Sequence, residues 1–508
     1  MFLENRDCPG KKELMKQSGV TLLGLGPGDP LLLTRQAWLL LESIPEIYLR
    51  TTHHPVVAGF PPSLKVNSFD HLYESGESFE DIYAKIVEQI IDLALRPGGV
   101  VYAVPGHPFV AEATAPEIAR LARDKQIQVN VIEGLSFLEA VFSSLGIDPL
   151  PQTVILDAFE LARSHVPLFP PDYPSIIAQI HSKAMASDVK LTLMEVYPDE
   201  HPIQLVHLAG TPHVLIEQLS LYELDRSEHI GLLTTLYLPP LAKGSSFESF
   251  QEVIAHLRAP DGCPWDREQT HQTLRAHLLE ETYEVLAALD NEDPQALREE
   301  LGDLLLQIVL HTQIAVDDGT FKMPDVLSGV YNKIVSRHPH VFGEVQVADA
   351  EGVLRNWEHL KAVERENSGQ AHVSLLEGVA PALPALSQAL TYQVRAARVG
   401  FDWPDIGGVL NKVLEEVAEV RQAEDIQAIS AELGDLFFSL VNLARWNKVD
   451  PESALREANF RFRERFGFIE KTAREQNRSL TDLSLDEMEE LWQLSKRSSQ
   501  EDENSPAS

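Results

Sequence analysis

Apolar residues recur along this chain with two different periods, which divide it into two halves. In the first half, short apolar runs of strand length end near glycine or proline and alternate with segments of helical period. We expect strands at residues 20–25, 99–104, 129–132, 154–156, 191–197 and 231–238, and helices at about 33–42 and after residue 211. Because strands and helices alternate, the pattern favours an α/β class for this half.

Two of these strands lead into turns that are rich in glycine and proline. The first turn reads Gly-Leu-Gly-Pro-Gly-Asp-Pro at residues 24–30, and the second reads Pro-Gly-His-Pro at residues 105–108. A glycine-rich turn between a strand and a helix lets backbone N–H groups approach a ligand closely. Since any tight turn tolerates such glycines, the two turns alone are a weak indication of a ligand site.

The second half has helical periods throughout and follows a linker of proline, glycine and serine at residues 239–246. Residues 301–314 are apolar nearly all round, which predicts a buried helix. One polar stripe nevertheless follows this helix, and it consists of Glu300, Asp303, Gln307 and His311. Buried carboxylates must be paired or must hold a metal.

Acidic residues dominate the region around this stripe. Between residues 278 and 310 there are nine carboxylates and one cation. The acids on one side of the preceding helix are Glu280, Glu281 and Glu284. Carboxylates that lack lysine or arginine partners suit Mg²⁺, which takes oxygen ligands and bridges to substrate phosphates. A solvated acidic face is the alternative interpretation, and we accept it for Glu292 and Asp293.

The same two-part pattern occurs a second time. Its members are Glu415, Glu416, Glu419, Glu432 and Asp435. Ser439 and Asn442 extend the second polar stripe as Gln307 and His311 extend the first. An internal repeat of this kind predicts tandem helical units.

Composition limits the possible partners. The chain has 508 residues, 44% of them hydrophobic, and a net charge of −35, so it can bury cores for two to four domains. A chain this acidic has no general basic surface for nucleic acid. The sequence shows no long apolar run and no signal peptide, and Cys8 and Cys263 predict no disulfide framework. We therefore expect a cytoplasmic protein without nucleic-acid or membrane partners.

The N-terminal motifs together resemble the S-adenosylmethionine-dependent tetrapyrrole (corrin/porphyrin) methylases. The matching segments, 24–34, 105–108, 134–136 and 209–212, follow the family's order over roughly residues 19–240. The resemblance implies two α/β subdomains with S-adenosylmethionine in the cleft between them. The cofactor-binding residues that it implies are Gly26, Pro27, Gly28, Asp29, Pro105, Gly106, His107, Ser136 and Gly210. In the second loop the family usually has Gly-Asp-Pro, whereas this chain has Gly-His-Pro at residues 106–108. We interpret His107 as a local structural substitution rather than a catalytic base.

The C-terminal motifs resemble the MazG nucleoside triphosphate pyrophosphohydrolases over roughly residues 247–495. Matches occur at 262–266 (Gly-Cys-Pro-Trp-Asp), at 337–342 (Arg-His-Pro-His-Val-Phe) and in both carboxylate patterns. The resemblance implies Mg²⁺ held by Glu280, Glu281, Glu284, Glu300, Asp303, Glu415, Glu416, Glu419, Glu432 and Asp435. The cations that would complement phosphate charge are Lys333, Arg337, Lys412, Arg461 and Arg465. A homodimer is also implied, because paired helices from two chains commonly complete such sites in this family.

These inferences describe a multidomain enzyme, with an N-terminal α/β methylase-like domain followed by all-α tandem MazG repeats. We expect a tail at 1–18, the methylase-like domain at 19–240, repeats at 241–375 and 376–495, and a disordered tail at 496–508.

The expected reaction converts a nucleoside triphosphate to its monophosphate and pyrophosphate. One glutamate of each cluster should orient or deprotonate the attacking water. The sequence does not say which one, and we count Glu281 and Glu416 as catalytic. Two alternatives stay open: a methyltransferase that uses the helical half for dimerisation, and a regulator that binds nucleotide or cofactor without turnover.

Overall fold

A computed structural model of the chain describes residues 19–73, 78–343 and 374–503, together with positions 345, 349 and 353. The chain divides into two compact units, Met1–Glu268 and Gln269–Ser508. The expected tail at residues 1–18 and the last residues, 504–508, lie outside the described residues.

The first unit begins with a parallel five-stranded sheet. Its strands are β1 (Gly19–Gly24), β2 (Glu46–Leu49), β3 (Lys65–Ser68), β4 (Val100–Val104) and β5 (Gln128–Ile132), in the order β3-β2-β4-β1-β5. Its helices are α1 (Arg35–Ser43), α2 (Asp70–Tyr73), α3 (Phe79–Ala94) and α4 (Thr114–Asp124). In β1, Leu22 packs with α3 and α4 on one face, and Leu23 packs with α1 on the other. A central strand covered on both faces needs a continuous apolar run, which is why the sequence pattern revealed β1.

A second five-stranded sheet follows in the same unit. Its strands are β6 (Val154–Asp157), β7 (Ser175–Ala178), β8 (Pro202–His207), β9 (Leu215–Ser220) and β10 (Thr234–Leu238), in the order β6-β7-β10-β8-β9. Its helices are α5 (Phe137–Leu145), α6 (Ala158–Ala162) and α7 (Lys183–Met194). Strands β6 and β7 are parallel, and the other neighbours are antiparallel. The two sheets confirm the predicted α/β class.

Two elements of this second part differ from the sequence prediction. The strand predicted at residues 191–197 is wrong, because this segment lies in α7 and the turn after it. Val189 and Leu193 are fully buried one helical turn apart. The helix predicted after residue 211 is also wrong. A tight turn, with Gly210 at φ +75°, folds the chain back so that β9 pairs with β8.

The chain leaves the second sheet through the predicted linker and continues in α8 (Phe247–Arg258) and α9 (Pro264–Glu268). The Asp172 carboxylate accepts a hydrogen bond from Ser249 Oγ at 2.6 Å, and Leu241 N–H donates to Pro171 O at 2.8 Å. The first contact holds α8, and the second holds the linker before it, against the loop that contains Pro171 and Asp172. The family-based domain limits stay a prediction.

Helices build the second unit within the residues that the structure describes. They are α10 (Arg275–Asp290), α11 (Pro294–Asp317), α12 (Met323–Arg337), α13 (Pro339–Phe342), α14 (Ala385–Arg398), α15 (Ile406–Gln422), α16 (Ile426–Trp446), α17 (Pro451–Glu475) and α18 (Leu485–Glu503). Helices α10 and α11 form one hairpin, and α15 and α16 form another. This architecture confirms the predicted all-α class of the second half.

The apolar helices of this unit are less buried than the sequence predicted. On α11, Leu301, Leu305 and Ile308 are 49, 39 and 44% exposed, so the prediction of a helix buried all round is wrong. The reason is that α11 packs mainly against α10, which covers only one of its faces. Helix α16 is long and apolar enough to cross a membrane, although core helices of soluble proteins pass the same test of length and composition.

Helix α18 extends into the predicted disordered tail. It continues to Glu503, past the start of the tail predicted from residue 496, and disorder of this tail stays a prediction. The ring of Trp492 packs on Phe462 of α17, with 5.3 Å between ring centroids. This contact fixes the middle of α18.

Candidate functional site

The first carboxylate cluster forms where α10 and α11 lie side by side. Glu281 and Glu284 share one face of α10, and α11, whose first turn is capped by Asp293, brings Glu300 to them. One oxygen from each of the three glutamates lies within 4.8 Å of the others. Burial and the negative charges of Asp303 and Glu284 raise the pKa of Glu281. Burial and Glu284 likewise raise the pKa of Glu300.

The second cluster repeats this geometry on α15 and α16. Glu416, Glu432 and Asp435 each place one oxygen within 4.8 Å of the others. Glu416 is only 3% exposed, and its Oε2 has no hydrogen-bond partner among the described residues. Burial and the charges of Glu416 and Glu432 raise the pKa of Glu419. A buried carboxylate oxygen without a partner is costly in a folded protein, so this cluster has the form of a cation site.

Lys412 distinguishes the second cluster from the first. Its Nζ lies 2.8 Å from Glu416 Oε1 and 2.9 Å from Glu415 Oε1. These hydrogen bonds raise the pKa of Lys412, so its ammonium group stays charged. In the first copy, His277 lies 3.6 Å from Glu280 at the corresponding place. Lys412 was predicted to bind phosphate, and in the structure it forms ion pairs with two predicted metal ligands, Glu415 and Glu416.

The remaining predicted ligands lie around the two groups of three. Asp303 acts electrostatically on Glu281, and Glu419 interacts with Glu416 and Glu432. Both groups offer what a small divalent cation requires, which is several carboxylate oxygens close together, and in the second group Lys412 balances part of their charge. The residues therefore fit Mg²⁺, and their role as its ligands stays a prediction.

The other predicted phosphate-binding cations are Lys333 and Arg337 on α12 and Arg461 and Arg465 on α17. The Arg461 Nη1 atom lies 3.1 Å from Glu457 Oε2. The Arg465 guanidinium lies 5.6 Å from the centre of the Trp492 ring. The role of these four cations toward phosphate stays a prediction.

Four loops of the first unit meet at one place. Gly26 N–H donates to Gly106 O at 3.1 Å, and Gly106 N–H donates to Gly26 O at 2.8 Å. Asp29 N–H donates to Gly210 O at 2.9 Å. Gly134 approaches the second loop so closely that a Cβ on it would collide with the Gly106 carbonyl oxygen. The structure thus brings together the segments that the sequence predicted to line a cofactor cleft.

Ser136 and His107 have structural partners within their own loops. Ser136 caps α5 by accepting a hydrogen bond from Leu138 N–H at 3.1 Å. His107 Nδ1 accepts from Phe109 N–H at 3.1 Å, a bond that stabilises its own turn. This contact agrees with the interpretation of His107 as a structural substitution.

His54 is a residue of this region that sequence analysis missed. It is 6% exposed, its ring is hydrogen-bonded to the Gly26 backbone, and its Nδ1 has no partner among the described residues. Burial lowers the pKa of His54 to about 4, so the ring is neutral near pH 7. The sequence offered no signal for it, because His54 precedes a short 3-10 helix, Pro55–Gly59, that was not predicted.

Comparisons with known proteins identify the family to which this architecture belongs. The family model for the MazG nucleotide pyrophosphohydrolase domain matches residues 269–342. The nucleoside triphosphate pyrophosphohydrolase/pyrophosphatase MazG of Thermotoga maritima is 42% identical over 254 residues, which cover 50% of this chain and 96% of that protein. The chain belongs to the MazG family.

This MazG-family chain also carries a methylase domain. The family model for tetrapyrrole (corrin/porphyrin) methylases matches residues 19–225, which confirms the N-terminal resemblance. An uncharacterized protein, YabN, of Bacillus subtilis is 42% identical over 486 residues, or 94% of this chain and 98% of that protein. This relative therefore matches both the methylase part and the helical part of the chain.

A solved structure resembles the N-terminal part. Uroporphyrin-III-C-methyltransferase from Thermus thermophilus is 22% identical and has a TM-score of 0.35, with 44% of this chain and 93% of that chain covered.

Proposed function

We propose that this chain hydrolyses a nucleoside triphosphate to the monophosphate and pyrophosphate at its carboxylate clusters. The observation that carries the proposal is the convergence of Glu416, Glu432 and Asp435, with one buried Glu416 oxygen left unpaired among the described residues. The name of the Thermotoga maritima relative, which describes this reaction, supports it. Housekeeping of the nucleotide pool in the cytoplasm is the proposed setting.

In this proposal the carboxylates of each cluster bind a divalent cation, which is Mg²⁺. When bound, Mg²⁺ would neutralise phosphate charge and stabilise pyrophosphate as it leaves. We assign the role of general base to Glu281, whose side chain lies beside Glu284 and Glu300 in the first cluster. Lys333 and Arg337 complement phosphate charge at the first repeat, and Lys412, Arg461 and Arg465 do so at the second.

A panel of nucleoside triphosphates tests the reaction class. The full chain is incubated with each triphosphate and Mg²⁺, and pyrophosphate and phosphate are measured separately. Pyrophosphate in step with the monophosphate supports the proposal. Phosphate with nucleoside diphosphate overturns it.

A homodimer is the proposed assembly, and the exposed apolar face of α16 supports it. Phe437 and Leu440 are 56 and 42% exposed there, beside a groove of about 440 Å³ lined by Ile426 and Leu433. Exposed apolar side chains that line one groove favour a protein–protein contact there.

The substitution Phe437→Glu is expected to convert the dimer to monomers, because burying an unpaired carboxylate in an interface costs several kcal/mol. Light scattering of the eluting protein at micromolar concentration measures the mass. Leu232→Glu, at an 80% exposed position of the first unit, is the control and should leave the mass unchanged. A wild-type protein with monomer mass would contradict the dimer.

A second activity is proposed for the first unit, because its four predicted loops meet. We propose that they bind S-adenosylmethionine or its demethylated product, with the residues given for the cleft in the sequence analysis. A methyltransferase reaction on an acceptor of unknown chemistry is the corresponding alternative function.

A further inference from the structure

The polar stripe of α11 continues beyond the first carboxylate cluster. Gln307 lies one turn after Asp303 and is 6% exposed, and its Oε1 has no hydrogen-bond partner among the described residues. His311 lies one turn further, and its Nε2 is buried and also lacks a partner there. A buried polar atom that lacks a hydrogen-bond partner destabilises the folded protein. Two of them in succession on one line of a helix indicate a binding partner other than the chain itself.

His271 closes the far end of this line. Its Nδ1 lies 2.9 Å from His311 Nδ1, and the two rings stack with 5.2 Å between centroids. One of these two nitrogens must donate and the other accept, so His311 Nε2 is left as either a donor or an acceptor. His271 is exposed and Asp303 is half-buried, so the buried Gln307 lies between two ends that reach the surface.

The length of the line matches one part of a nucleotide. Eight residues separate Asp303 from His311, which corresponds to about 12 Å along an α-helix. An extended nucleoside monophosphate spans a similar distance from its phosphate to the far edge of its base. A base edge presents hydrogen-bond donors and acceptors side by side, and these match an amide oxygen and an imidazole nitrogen.

The second repeat lacks this pair. Its stripe continues through Ser439 and Asn442, and the Asn442 Oδ1 accepts a hydrogen bond from Arg445 Nε at 2.9 Å. Asn442 is therefore already engaged with its own helix. The two repeats differ beyond the carboxylates, although their carboxylates are alike.

We infer that Gln307 and His311 bind the base of a nucleoside triphosphate whose phosphates lie at the first carboxylate cluster. This inference rests on the proposed function and adds a specificity determinant to it. The first repeat, rather than the second, then discriminates among bases.

Calorimetry on the full chain tests the inference. The second cluster is disabled by Glu416→Gln and Glu432→Gln, and this parent is titrated in Mg²⁺ with α,β-methylene analogues of the four nucleoside triphosphates. In these analogues the bond proposed to break is replaced by a stable one. Inorganic triphosphate, which has phosphates but no base, is the reference ligand.

The added substitution Gln307→Met is expected to lower the affinity for the preferred analogue about tenfold and to leave the affinity for inorganic triphosphate unchanged. Methionine is similar in size and removes an unpaired buried amide, so the melting temperature should stay the same or rise. A purely structural glutamine would lower it instead. His311→Phe should weaken the analogue in the same way, and Gln313→Met, at an amide that bonds Asp317 on the same helix, should change nothing.

Three results overturn the inference, and they differ from one another. If the parent binds the analogues and the Gln307→Met variant binds them equally well, the unpaired Gln307 oxygen bonds water and not the base. Equal weakening of inorganic triphosphate would assign Gln307 to the phosphates or the metal. A parent that binds neither analogue nor triphosphate would reject the proposed function at this repeat and the inference with it.

Discussion

Replacing Glu281 and Glu416 together by glutamine is expected to slow pyrophosphate release by on the order of a thousandfold, because each change removes one carboxylate from a cation site. Glutamine has nearly the same shape, so the helical hairpins should remain folded. The rate of pyrophosphate release is measured at saturating nucleoside triphosphate and Mg²⁺. Removing divalent metal with a chelator should abolish release from the wild-type protein, and added Mg²⁺ should restore it.

The control for this variant is Glu292→Gln. Glu292 is an exposed acid in the turn between α10 and α11, outside the cluster, so its loss should leave the rate unchanged. The two single variants show which repeat carries the activity. A wild-type rate in the double variant would reject the carboxylate assignment in both repeats.

The substitution Gly210→Ala is expected to abolish measurable binding of S-adenosylmethionine to the full chain. Gly210 has φ +75°, and a Cβ on it would collide with the Pro27 ring of the first loop. Asp29 N–H donates to the Gly210 carbonyl, so the collision separates the two loops at their hydrogen bond. Calorimetry with S-adenosylmethionine measures the change.

The control is Gly146→Ala, which introduces the same backbone strain without a collision. Gly146 has φ +67°, a conformation as unfavourable for alanine, but a Cβ on it would meet nothing within 4 Å. Its variant should therefore bind S-adenosylmethionine like the wild type. If the Gly210→Ala variant bound S-adenosylmethionine as tightly as the wild type, the cofactor would bind elsewhere. If the wild type released no heat at millimolar ligand, the first unit would not bind this cofactor.

The strands of the first sheet that the sequence marked most clearly are β1 and β4. They are neighbours inside the sheet, and their apolar runs are nearly continuous. Strand β3 was missed because its sequence, Lys-Val-Asn-Ser, carries one apolar residue at a sheet edge. The segment at 191–197 was misread because a short apolar run has no period of its own, and only its packing decides between strand and helix.

The candidate site was predictable where its chemistry repeats in the sequence. Two copies of one carboxylate pattern marked both clusters, since residues three and four apart must share a helix face. The contact of Lys412 with Glu416 and Glu415 follows the same spacing, yet its effect on the cluster required the side-chain geometry. The pairing of His271 with His311 was not predictable, because these residues are forty positions apart and meet only when the hairpin closes.

The point of attack on the triphosphate is the central claim, and hydrolysis in ¹⁸O-labelled water tests it most directly. Water that attacks the α-phosphorus in line with a pyrophosphate leaving group leaves its oxygen on the nucleoside monophosphate. The expected result is label in the monophosphate, unlabelled pyrophosphate and no nucleoside diphosphate. Label found only in pyrophosphate would contradict attack at the α-phosphorus, and accumulation of nucleoside diphosphate would contradict the reaction itself.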